Sequence, residues 1–233
     1  MGFADYPEIK YFPGASAFVG TDNLAKWKDN YFHTSDYATP EATIEAAAAW
    51  VSSTYGGGIV HLENGTYTLG AAGVDIDENY IILEGESWDT IITTSLAVQT
   101  VTISGIGCGL RNIQVNHTGV ENLREAVDVT GANCRVDTIY IQDSDQDSIS
   151  MNGSRGILTN SYITNAGRYN ITVGGTGDGS IIVNNICLTS GDSGIFINGA
   201  GNYCIVTGNR VEGWTGNDPI EDSTSTCTVT NNW

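Results

Sequence analysis

Val127-Asp128-Val129-Thr130-Gly131, Ile149-Ser150-Met151-Asn152-Gly153 and Ile171-Thr172-Val173-Gly174-Gly175 are copies of one pattern, apolar-x-apolar-x-Gly. Outward from these, the pattern occurs upstream at Ile81 to Gly85 and Val101 to Gly105, and downstream at Ile195 to Gly199. The closing glycines are 20, 26, 22, 22 and 24 residues apart. Self-similarity at such a period is the mark of a solenoid.

Two apolar residues flanking one variable residue read as a strand with one buried face, because side chains alternate with period two. The expected buried pairs are Ile81/Leu83, Val101/Ile103, Val127/Val129, Ile149/Met151, Ile171/Val173 and Ile195/Ile197. Ile82, Thr102, Asp128, Ser150, Thr172 and Phe196 then form an outward column, and each glycine permits a turn where a Cβ is costly. A second strand follows in each repeat, with inward residues Leu110/Ile113/Val115, Val136/Ile139/Ile141, Leu158/Ile163, Ile181/Ile186 and Val206/Val211 once one or two insertions are allowed in the last two copies. No repeat holds a helical stretch, so stacked coils with strands ~4.8 Å apart predict an all-β parallel β-helix of about six or seven coils. Residues 217 to 233 give a degenerate last coil through Ile220.

Thr39-Pro40-Glu41 reads as a helix start: a capping side chain, proline at the first helical position and an acid in the first turn. Ile44, Ala47, Ala48 and Val51 make one apolar stripe, and Gly56-Gly57-Gly58 ends it. Laid across the first coil, this helix covers an open strand edge and the apolar interior. The chain divides into an aromatic segment 1–34, a capping helix with the first strands at 35–78, and the β-helix at 79–233. All three lysines and four of the five phenylalanines fall within the first 32 residues.

Nine basic against twenty-seven acidic residues give a net charge of −18. That balance argues against nucleic acid and anionic membranes as partners. No apolar run spans a bilayer, and Met1 to Lys10 lacks the basic start and apolar core of a signal peptide, so the expectation is a soluble chain. Cys108, Cys134, Cys204 and Cys227 fall in one solenoid column and are expected as reduced, buried small hydrophobes, as is Cys187; a disulfide across adjacent coils is the alternative. No spacing matches a metal motif, and no cofactor is expected.

The small-residue helix, the glycine cluster, Ile59-Val60-His61-Leu62-Glu63-Asn64-Gly65-Thr66-Tyr67, Ile81-Ile82-Leu83-Glu84-Gly85 and Asp89-Thr90-Ile91-Ile92 together resemble the pectate-lyase-like superfamily of right-handed, single-stranded β-helices. The resemblance covers about residues 35 to 230; Glu63 departs from it, standing where the family usually has proline. It implies the fold, but the superfamily holds lyases, glycosidases, epimerases, phage tailspikes and capsid-decorating proteins, so function must come from the site.

The catalytic patterns of those enzymes are mostly missing. None of the six arginines forms the paired-arginine motif of pectate lyases. Ser190-Gly191-Asp192-Ser193-Gly194 resembles the Gly-Asp-Asp segment of the hydrolases with its second acid replaced. Asp143, Asp145 and Asp147 alternate, so an extended backbone projects three carboxylates to one side, with Arg168 and Asp192 close to their column; such a pair suits glycosidic acid/base work or a hard cation, and a solvated acidic turn is the plainer alternative. An outward column of Gln114, Tyr140, Tyr162, Asn185 and Arg210 offers aromatic faces and polar tips to a sugar or to another protomer. Asn184 and Asn209 are expected to form a hydrogen-bonded ladder within the wall.

After Cys227-Thr228-Val229-Thr230 only three residues remain, too few to cap a coil, so a homo-oligomer is expected, a trimer by resemblance to viral β-helices. The resulting expectation is a non-catalytic structural protein of a virion surface: a capsid decoration, head fibre or short tailspike that binds other virion proteins through residues 1–34 and can contact a surface glycan. The alternatives are a small polysaccharide lyase or glycoside hydrolase, and a secreted or cell-surface adhesin.

Overall fold

The computed structural model describes residues 15–21, 30–70, 72–118, 125–198, 203–216, 218–224 and 226–233. The described residues wind as a right-handed parallel β-solenoid of about seven turns, with the α-helix Pro40–Tyr55 near its start. Each turn gives one strand to each of three sheets, as in Arg135–Asp137, Tyr140–Ile141 and Ile149–Met151, followed one coil later by Ile157–Thr159, Tyr162–Ala166 and Ile171–Val173. In that order we call the sheets faces A, B and C. Among the described residues, face A has ten strands and faces B and C seven each.

Face C follows the repeated pattern. Val101, Val127, Ile149, Ile171 and Ile195 stand in register on successive coils and are fully buried. The glycines after these strands stack so closely that a Cβ on Gly131 would run into the carbonyl of Gly105, and one on Gly153 into that of Gly131. Close backbone approach, rather than an unusual φ, requires glycine there.

Ile81–Gly85 is the exception. It lies in face A beside Gly58–Leu62, and the face C strand of its coil's predecessor is Val74–Ile76, paired with Val101–Ile103. Asp77 follows Ile76 where the pattern has its second variable residue and Glu78 where it has glycine, so the true first copy carries no closing glycine.

The expected single second strand is two strands meeting at a corner. Leu110 belongs to face A and Val115 to face B, and Asn112 between them has a φ of 54°. The same corner is turned in later coils by Thr138, Asn160, Asn184, Gly208 and Asn231, with φ between 53° and 69°. Asparagine and glycine enter this left-handed region readily, whereas a β-branched residue is a true outlier. Thr138 alone breaks the column's residue choice.

The position after the corner points inward. Ile113 and Ile139 fill it early; later, Ser161 N–H donates to Asn185 Oδ1 (3.0 Å), Asn185 N–H to Asn209 Oδ1 (2.9 Å) and Asn209 N–H to Asn232 Oδ1 (2.9 Å). The ladder therefore runs through Asn185, not Asn184, whose left-handed backbone makes the corner itself. In the same coil the inward residues are Ile182 and Cys187, while Ile181 and Ile186 stand outward, half-buried. A one-residue change of register moves every side chain to the other face.

The helix Pro40–Tyr55 is capped by the Thr39 hydroxyl and ended by Gly56 at a φ of 75°. Its fully buried Ile44, Ala47, Ala48 and Val51 pack on Gly58–Leu62, Val74–Ile76 and a further face A strand, Ser16–Gly20. Tyr31–His33 adds one more parallel strand outside that. Parts of segment 1–34 are thus woven into face A; Phe3, Tyr6, Tyr11, Phe12 and Trp27, expected in attachment, lie outside the described residues.

The Cys108 and Cys134 thiols are buried and donate to the carbonyls of Glu78 and Gly105. Burial pushes the Cys108 thiol up to about 12. At the far end, Ile220–Asp222 completes the seventh coil and Thr228–Thr230 adds to face A, so residues 217 to 233 straddle two coils.

Candidate functional site

The acids singled out in the sequence sit where face B turns into face C. The backbone from 142 to 148 is bent, not extended, so the carboxylates diverge. Asp147 is 1% exposed and receives Arg168 through two parallel bonds, Nε to Oδ1 (2.8 Å) and Nη2 to Oδ2 (2.7 Å). Thr172 Oγ1 donates to Oδ2 (2.8 Å), and the Tyr169 N–H lies 3.4 Å from Oδ1. Every lone pair direction of this carboxylate is directed at a donor, the arrangement of a structural tie rather than of a proton shuttle.

Asp143 instead accepts from the exposed Asn165 amide (3.2 Å), and Asp145 is half-buried on the bend. Arg168 also lies over the Tyr169 ring, 4.8 Å from its centroid, and Tyr169 stacks on Phe196 at 4.6 Å. Burial first, and the Asp192 carboxylate second, hold the Tyr169 phenol above its ordinary value. Asp147 and Arg168 are therefore brought together, Asp192 stands beyond Tyr169, and Asp143 faces another neighbour.

A second acidic group was not selected from the sequence. Asp128 occupies the outward column of face C between Thr102 and Ser150, yet is only 9% exposed. Asn152 Nδ2 donates to its Oδ1 (2.9 Å) and Gln99 Nε2 to its Oδ2 (3.1 Å); the same Gln99 amide reaches Glu125 Oε2 (3.2 Å). Burial, opposed by the Asn152 bond and reinforced by the Glu125 charge, pushes the Asp128 carboxyl up to about 6. A carboxyl raised by burial and set beside a second carboxyl is a pairing that acid/base sites use. The sequence signal was an acid standing between Thr102 and Ser150 in the outward column; its burial depends on Gln99, Glu125 and Asn152, which sequence spacing does not bring together.

Face B carries the aromatic column. Gln114, Tyr140, Tyr162, Ile186 and Arg210 are in register, so Ile186 takes the place expected for Asn185, which is buried in the ladder. Tyr140 and Tyr162 have centroids 5.4 Å apart at 74°. Trp88, also missed from sequence, reaches over from the second coil to Tyr140 at 5.6 Å. Arg210 is held by Glu212 at 2.8 Å.

The outer side of face A changes character along its length. Glu84 is met by His61 at 2.9 Å and Arg111 at 2.6 Å, and Arg135 pairs with Asp137 at 3.6 Å. From the next coil onward the outward positions are Ile157 and Thr159, Ile181 and Val183, Ile205 and Thr207, Thr228 and Thr230. None carries a charge, and Ile205 is 42% exposed. Among the described residues no group of three or more histidine, cysteine or acidic side chains is placed to hold a metal ion.

No protein-family model matches the chain, and no curated protein does. Solved structures do. An alginate lyase from Paenibacillus sp. str. FPU-7 superposes with a TM-score of 0.66 at 15% identity, over 82% of this chain and 73% of that one. Pectin methylesterase PemA from Erwinia chrysanthemi gives 0.61 at 16%, over 91% and 68%. ORF18 of Geobacillus virus E2 gives 0.54 at 13%, over 77% of this chain but 41% of that one. At such identities the likeness is one of fold: this chain shares the parallel β-helix fold of these proteins.

Proposed function

We propose that the chain is a non-catalytic structural β-helix of a virion surface, a decoration, head fibre or short tailspike, assembled as a homotrimer through the far half of face A. The observation that carries this reading is the run of eight outward isoleucine, valine and threonine side chains without a charge, in a chain whose net charge is −18. Copies of so acidic a chain repel each other, except where they meet over a patch free of carboxylates. Depletion of charge at the centre of a contact is what separates interfaces from ordinary surface. The tie of Asp147 to Arg168 supports the non-catalytic part, and the fold shared with a viral protein supports the location. The test is the mass of the native particle by analytical ultracentrifugation, for the parent and for Ile181→Lys; a parent that sediments as a monomer overturns the reading.

One observation favours a second reading. Asp128 and Glu125, bridged by Gln99, are two adjacent carboxyl groups, the kind of pair a polysaccharide-cleaving enzyme employs as acid and base. Release of reducing ends from a glycan, lost in Asp128→Asn, would establish it in place of the first.

A further inference from the structure

Trp88 is 41% exposed yet fixed in place: its indole N–H donates to the carbonyl of Thr138 at 2.9 Å, two coils further along the solenoid. Thr138 is the residue that breaks the corner column, a β-branched side chain at a φ of 54° where the other coils use asparagine or glycine. A β-branched residue held at such a φ is a pointer to a site, and here it coincides with the carbonyl that anchors the tryptophan; Thr189, at a φ of 53°, is the other threonine so held. Beyond Trp88 the rings of Tyr140 and Tyr162 follow at 5.6 and 5.4 Å, making a row of three aromatic side chains along face B.

The surroundings define the ligand. Beside the row run amide and hydroxyl groups: Gln114, whose Nε2 donates to Asn116 Oδ1 at 3.1 Å, and Thr164. Trp88 borders a shallow depression of about 490 Å³ lined also by Glu86, Ser87 and Asp89. Its two carboxylates, and Asp143 near Tyr140, disfavour an anion, and Arg210 is already engaged by Glu212. Aromatic faces that cover apolar sugar faces, with amides and hydroxyls at their edge and no unneutralised cation in the row, suit an uncharged saccharide.

We infer that Trp88, Tyr140 and Tyr162 form a binding platform for a neutral oligosaccharide. The platform is on face B, apart from the contact proposed on face A, so the two stand or fall separately. Isothermal titration calorimetry against neutral hexasaccharides of glucose, galactose and mannose, with hexagalacturonate as the anionic control, tests it. At least one neutral hexasaccharide is expected to bind, hexagalacturonate is not, and Trp88→Ala and Tyr162→Ala should each weaken binding about tenfold with unchanged circular dichroism. Ile181→Lys should leave binding in place. The inference is overturned if no neutral hexasaccharide binds at millimolar concentration, if binding ignores both aromatic substitutions, or if these substitutions dissociate the oligomer, which would make the row a protein contact.

Discussion

Replacing Asp128 by asparagine should stabilise the protein at neutral and alkaline pH and not in acid. The carboxyl is raised from its ordinary 3.8 to about 6 by burial. The folded state thus keeps a proton that the unfolded chain has released over that interval. Stability from the proton is complete below about pH 4 and is lost as pH rises through about 6. Above that, the fold carries a buried carboxylate, a penalty of about 3 kcal/mol at the upper end for a displacement of this size. Asparagine never ionises, but its amide cannot accept from both Gln99 and Asn152, which costs about 1 kcal/mol at every pH. The net expectation is a gain of about 1–2 kcal/mol near pH 8 and a loss of about 1 kcal/mol near pH 4. Urea unfolding at fixed protein concentration across this range measures it. A difference between variant and parent that is constant with pH, or that favours the variant most in acid, refutes the assignment of Asp128 as a buried, proton-holding carboxyl.

Two further substitutions probe the wall. Asp147→Asn breaks the paired bonds to Arg168 around a buried carboxylate and should cost about 3 kcal/mol, whereas Asp143→Asn, at the exposed Asn165 amide, should stay within about 0.5 kcal/mol of the parent in the same urea measurement. Asn209→Ala leaves the Asn185 N–H without its acceptor and the Ile182 carbonyl without the Asn209 amide, a cost of about 2–3 kcal/mol seen as a lower thermal midpoint.

The stacking of coils was legible because face C repeats its alternation and its closely packed glycines. The corner between faces A and B was not, because a single left-handed residue such as Asn112 turns the chain with no break in the apolar pattern, and two strands then read as one. Ile181-Ile182-Val183 has three apolar residues in a row, so alternation cannot say which face is inside; the ladder at Asn185 fixes it, and the outward Ile181 and Val183 become part of an uncharged surface instead of the core. The aspartates at 143, 145 and 147 were visible as a group, but the bend that separates them depends on Arg168, Tyr169 and Thr172 from the next coil. Trp88 and Asp128 escaped for the same reason: Trp88 meets its carbonyl partner 50 residues away, and Asp128 is covered by groups 24 and 29 residues away.

The direct measurement is sedimentation equilibrium of the parent chain beside Ile181→Lys, which sets a charge in the middle of the isoleucine row of face A. Three copies per particle for the parent and one for the variant, both retaining β-rich circular dichroism, is the predicted result. A monomeric parent, or a trimer that the lysine leaves intact, contradicts an assembly built on that face.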